Sequence, residues 1–119
     1  MAYDEKLAQS EKAVEYFRRA QTIQPEDASA LVALERLYTR TERWSDLIGV
    51  YRRRIELAGE PTDREKLFAQ MAEVYEVRLG KPDDAIAAYR EVLGFDEQST
   101  VALSALDGLF QRGQRWEEL

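Results

Sequence analysis

The 119-residue chain contains no cysteine, no histidine and no asparagine. Without Cys there is no disulfide framework, no thiolate metal ligand and no thiol nucleophile. Without His, the imidazole ligand and the usual general base near neutral pH are missing too. Catalysis would have to rest on carboxylates, Ser, Thr, Tyr or Lys. No phosphate-cradling glycine loop, nucleophile elbow or calcium-loop spacing is present. The sequence therefore predicts no enzyme, no catalytic residue, no cofactor and no metal. Three Pro and six Gly leave few breaks, and runs of β-branched residues are rare, so strand content should be near nil. Basic residues are outnumbered, 17 Lys and Arg against 23 Asp and Glu, for a net charge of −6. That balance argues against a nucleic acid duplex or an anionic membrane as the main ligand. No apolar run approaches the ~18 residues of a membrane span. The opening residues, MAYDEKLAQS, lack the hydrophobic centre of a signal peptide. The compartment stays open.

What is present is dominated by helix formers, and it repeats. Shifting the sequence by 72 positions aligns residues 1–47 with residues 73–119 without a gap. Identical pairs include Leu7 and Leu79, Ala13 and Ala85, Leu31 and Leu103, Leu34 and Leu106, and Trp44 and Trp116. Val14 with Ile86, Phe17 with Tyr89, and Tyr38 with Phe110 fill the same places conservatively. The frame divides again: Phe17, Tyr51 and Tyr89 are spaced by 34 and 38 residues, Tyr38, Tyr75 and Phe110 by 37 and 35. Each subunit of this repeat carries two apolar stripes of helical period. Leu31, Leu34, Leu37 and Tyr38 form one; Leu47, Ile48, Tyr51 and Ile55 form the next. Tyr38, Tyr75 and Phe110 continue the Leu stripes and read as core.

Turn chemistry separates the stripes. QPEDAS offers Pro25, with Asp27 or Ser29 as a cap for the next helix. AGEPTDRE supplies Gly59 and Pro61, with Thr62 or Asp63 as capping candidates. LGKPDDA places Gly80 at a left-handed helix end and Pro82 in the first turn of the following helix. FDEQST and QRGQRW mark the remaining breaks. Near the N-terminus, residues 3–23 contain neither Gly nor Pro, so one continuous helix and a turn near Gln9 are both open.

Two helices per unit of about 36 residues read as an all-α superhelix, a solenoid of antiparallel helical hairpins. The residues become specific at AVEYFRRAQTIQPED, with Ala13, Phe17, Ala20 and Pro25. LVALERLYTRTERWSDLIGVY and FAQMAEVYEVRLGKPDDAIAAYREVL add Leu31, Leu34, Tyr38, Phe68, Met71, Ala72, Tyr75, Ala85 and Tyr89. This pattern resembles the tetratricopeptide repeat along essentially the whole chain. The resemblance implies one domain over 1–119, made of a partial repeat at 1–26, repeats at 27–61 and 62–97, and a truncated repeat at 98–119. Both partial units suggest a segment of a longer array. There are departures. Glu35 and Asp107 stand where the family prefers a small residue, and only Ala72 conforms. Leu47 replaces the second-helix Ala, and the closing Pro is absent near Gly59 and at Glu97. Looser or more twisted helix spacing is the expectation.

Conspicuous residues mostly have plain readings. Trp44 and Trp116 are expected to wedge the turn between paired helices. Arg52 to Arg54 cannot share one helix face, because successive residues point about 100° apart, and are expected to pair with Glu on neighbouring helices. Asp83–Asp84 and Glu117–Glu118 read as carboxylates complementing helix N-termini. The surface of interest is the inner wall of first helices that the resemblance implies. Its candidate partner-binding residues are Arg36, Thr39, Arg40, Lys66, Glu73, Glu76, Gln111 and Arg112, which suit a peptide or a partner helix. The family's carboxylate clamp uses Asn, which this chain lacks. The functional expectation is a non-catalytic protein-interaction scaffold. The rival is a structural segment whose ends associate with further copies. Single-stranded RNA recognition by helical repeats ranks well below both.

Overall fold

A computed structural model describes the backbone of residues 2–25 and 27–118 and the side chains of residues 9–25 and 27–113. Six α-helices follow one another: α1 (Ala2–Ile23), α2 (Ala28–Arg40), α3 (Trp44–Leu57), α4 (Pro61–Glu73), α5 (Pro82–Phe95) and α6 (Thr100–Glu118). A π-helical turn, Val74–Arg78, extends α4. Among the described residues there is no strand, as the scarcity of β-branched runs implies. The chain divides into two compact units, residues 1–57 and residues 58–119.

In the first unit α2 packs against α1 on one side and α3 on the other. Its core is the recurring stripe: Ala30, Leu31, Leu34, Leu37 and Tyr38 from α2, and Leu47, Ile48, Val50 and Tyr51 from α3. Val14 joins them from α1. Asp27 starts α2: its carboxylate accepts hydrogen bonds from the Ser29 backbone N–H at 2.9 Å and the Ser29 hydroxyl at 2.6 Å. Those bonds hold the Asp27 carboxyl below its ordinary pKa. The turn into α3 closes through a left-handed residue, Glu42, at φ 58°.

In the second unit α5 lies against α4 and against α6. Leu67, Met71, Ala72, Val74 and Tyr75 meet Ala85, Ala88, Tyr89 and Val92, with Ala102, Leu106 and Leu109 from α6. Small side chains let the helices approach: Ala72, Ala85 and Ala102 are all fully buried. Gly80 ends the first helix at φ 61°, the left-handed region where a Cβ is penalised. The π turn has a cause in the spacing. Tyr38 precedes Tyr51 by 13 residues, whereas Tyr75 precedes Tyr89 by 14. Bonds of the i→i+5 type, such as Leu79 N–H to the Val74 carbonyl at 3.0 Å, take up one extra residue within a helix. The buried stripes then stay in register.

Of the two alternatives open near the N-terminus the structure takes the continuous helix, Ala2–Ile23, with neither Gly nor Pro to interrupt the run. Several local expectations need correction. Neither Thr62 nor Asp63 caps α4. Its N-cap is Glu60, without a side-chain bond, and Pro61 occupies the first turn. QRGQRW makes no break, because α6 runs on to Glu118. Gln and Arg are good helix formers, and the single Gly113 does not end the run. Glu117 and Glu118 thus close a helix rather than open one. Phe110 is half exposed rather than core; among the described residues α6 packs mainly against α5. Trp116 lies outside the described side chains; Trp44 is half buried at the start of α3.

These contacts give a stability order. Leu47→Ala should cost about 2–5 kcal/mol, since Leu47 is fully buried and truncation leaves a cavity. Gly80→Ala should cost about 1 kcal/mol, and Glu42→Gly should gain up to about 1 kcal/mol by relieving a left-handed Glu. Urea unfolding of the three variants measures all of this.

Candidate functional site

The candidate residues sit on three helices. Arg36, Thr39 and Arg40 are exposed on α2; Lys66 and Glu73 are exposed on α4; Gln111 and Arg112 are exposed on α6. Glu76 falls in the π turn and is half buried. All eight are therefore on first helices or their extension, on faces turned away from the buried stripes.

On α2, Arg36 and Arg40 are four residues apart and share one face. Neither makes an ion pair among the described residues. The Thr39 hydroxyl between them is occupied, donating to the Glu35 carbonyl at 2.7 Å. The situation differs for other arginines. Arg19 pairs with Glu15 and Arg53 with Glu56. Arg54 reaches from α3 to Glu35 on α2. Glu35 stands where a small residue was expected, and its charge is answered by Arg54. The RRR run thus splits, as helical geometry requires, with Arg53 and Arg54 bound to different acids.

In the second unit three residues form a chain. Arg112 of α6 donates to Glu76 at 2.9 Å, and the Tyr89 hydroxyl of α5 donates to the other Glu76 oxygen at 3.4 Å. Burial, then the Glu76 charge and hydrogen bond, and then the Glu73 charge push the Tyr89 phenol up to about 12; Arg112 opposes them. Two candidate residues, Glu76 and Arg112, are therefore engaged with each other. Tyr89 was legible only as core, and its hydroxyl emerges as a partner because the π turn brings Glu76 to it. Gln111 bonds Asp107 on its own helix at 3.3 Å. Lys66 and Glu73 remain exposed on α4 without a mutual contact.

A cleft of about 430 Å³ in the first unit was not anticipated. Leu31 and Tyr38 line it beside Arg18, Asp46, Gly49 and Arg53. Gly49 leaves the α3 side open, with nothing within 4 Å of a Cβ placed there. Arg43 stacks 5.1 Å over the Tyr38 ring and pairs with Asp46 at 2.9 Å. Burial raises the Tyr38 phenol, and the nearby Arg18 charge counters it. Its only sequence signal was a small residue, Gly49, inside a helical stripe. No group of three or more carboxylates that could hold a metal occurs among the described residues. No helix there is long and apolar enough to cross a membrane.

Buried Leu and Tyr stripes, paired helices and left-handed turns together fit one helical repeat. Tetratricopeptide repeat profiles match residues 30–65 and residues 1–27 and 66–99. The chain belongs to the tetratricopeptide repeat family. No curated protein matches it. Repeats of this family are generally protein-interaction modules and typically non-catalytic. In this tetratricopeptide protein the first helices carry the exposed polar faces, and second helices such as α5 supply buried partners such as Tyr89.

The Tyr89 bond gives a pH signature. A phenol raised in the folded state favours folding below the unfolded-chain value of about 10, and that contribution is lost as pH rises toward 12. Thermal midpoints should therefore fall more steeply between about pH 10 and 12 for the parent than for Tyr89→Phe.

Proposed function

We propose that the chain is a non-catalytic interaction scaffold whose first-helix faces bind a peptide or partner helix. The repeats are read as 27–61 and 62–97, flanked by partial units at 1–26 and 98–119. The observation that carries the reading is the uncommitted pair Arg36 and Arg40. Two guanidinium groups one helical turn apart, free of ion pairs among the described residues, offer forked donors to carboxylates or backbone carbonyls. In the second unit, taken by itself, Lys66, Glu73 and Gln111 offer polar contacts of their own, and the Glu76–Arg112 pair can open toward a competing acid. Val77 and Val101 are exposed on α4's extension and α6 and supply apolar contact. A ligand with acidic groups beside small apolar side chains suits these faces. A second reading, association between copies, is favoured by Leu103 and Phe110, exposed on α6.

Peptides selected from a displayed random library against the chain test the first reading. Enriched sequences should carry Asp or Glu, and fluorescence anisotropy should show binding weakened about tenfold or more by Arg36→Glu with Arg40→Glu. Failure to enrich any peptide, or equal affinity for the double variant, would overturn the assignment.

A further inference from the structure

The cleft of about 430 Å³ in the first unit takes no part in the reading above and opens on a different side of α2. Arg36 and Arg40 lie on the exposed face of that helix. Leu31, Leu34 and Tyr38, from its buried stripe, form the cleft floor and are each at most 4% exposed. The walls come from second helices, with Arg18 on α1 and Gly49 and Arg53 on α3. The volume falls within the roughly 300–1,000 Å³ of small-molecule sites. With so little apolar surface on the floor, the polar groups of the walls decide what can bind.

Those groups favour an anion. The chain carries a net charge of −6, yet this lining holds two guanidinium groups against one carboxylate, Asp46. Arg43 already holds Asp46 at 2.9 Å. Arg18 makes no ion pair among the described residues. Arg53 gives one donor to Glu56 at 2.8 Å and another to the Pro25 carbonyl at 3.5 Å, which leaves further N–H groups of its fork to donate. Ser45 adds a hydroxyl in the first turn of α3, the positive end of that helix. Forked donors of this kind match carboxylate and phosphate oxygens.

Gly49 is an independent indication. It lies inside α3, where glycine is unfavourable relative to alanine. Nothing stands within 4 Å of a Cβ placed there, so no close approach within the chain requires it. Counted from Tyr51 and Tyr89, α5 has Ala87 and Glu91 where α3 has Gly49 and Arg53. The open cationic wall is therefore particular to α3. On α1, Arg18 and Thr22 occupy an outward position of second helices in general. Their counterparts 72 residues on, Arg90 and Gly94, are exposed too, although α5 packs against both α4 and α6.

We propose that this cleft is a second ligand site, taking a small organic anion whose carboxylate or phosphate oxygens are held by Arg18 and Arg53, with Gly49 leaving room for its body. The site goes beyond the peptide-binding reading, since Arg36 and Arg40 play no part in it.

NMR titration of the 119-residue chain with succinate and with glycerol phosphate, at ionic strength matched by sodium chloride, is the test. At least one probe should shift the Gly49 amide and the Arg18 and Arg53 side-chain N–H signals to saturation, and which probe does so separates carboxylate from phosphate recognition. Arg18→Glu should weaken that binding about tenfold or more. Gly49→Leu should do the same by filling the cleft, with helical circular dichroism undiminished. The Arg36→Glu, Arg40→Glu double variant should bind the probe as the parent does, which keeps this site separate from the first-helix faces. Absence of saturation with both probes, or a Gly49→Leu variant that binds as tightly as the parent, would overturn the proposal. So would binding lost in the double variant.

Discussion

Burial of Leu and Tyr stripes between consecutive helices is the interaction on which everything else depends. A helix of 13 or 14 residues is marginal alone in water, because its nucleation is costly and its hydrogen bonds are offset by water. Here α2 and α3 become stable by covering each other's apolar faces, at roughly 25 cal/mol for each Å² removed from water. In each unit, taken by itself, the core lies between neighbouring helices, the local packing expected of a repeat protein. Leu47, Ala72, Ala85 and Ala102 are fully buried.

Charge is arranged around that ladder. Within the described residues no polar side chain is buried, so ion pairs act at the edges of the packed faces. Arg54 with Glu35 joins α3 to α2, and Arg112 with Glu76 reaches from α6 to the extension of α4. Exposed pairs of this kind contribute little stability individually. They do decide which guanidinium groups remain available. Arg19, Arg43, Arg53, Arg54 and Arg112 have acids within reach, whereas Arg36 and Arg40 make no ion pair among the described residues.

One anomaly of the backbone serves the same packing requirement. The π turn absorbs an extra residue between Tyr75 and Tyr89, and so brings Glu76 to the Tyr89 hydroxyl. α1 and α6 run for 22 and 19 residues, and Tyr16, Ile23, Leu103 and Phe110 on them are exposed.

The repeat period, the helical class, the lack of thiols, and the turns at Pro25, Gly80 and Pro82 were all written in residue order. Such features depend on local chemistry: backbone freedom at Gly, the fixed angle of Pro, and the 3.6-residue spacing of apolar groups. Sequence alone also placed the eight candidate residues on first-helix positions, though not their engagement. Only the tertiary structure decided that Glu76 and Arg112 hold each other, that Arg36 and Arg40 do not pair, and that Phe110 is half exposed while Tyr38 is buried. The physical reason is that identical stripes meet different neighbours. A side chain's burial and partners belong to the helix opposite it, and the local sequence does not encode whether that helix is there.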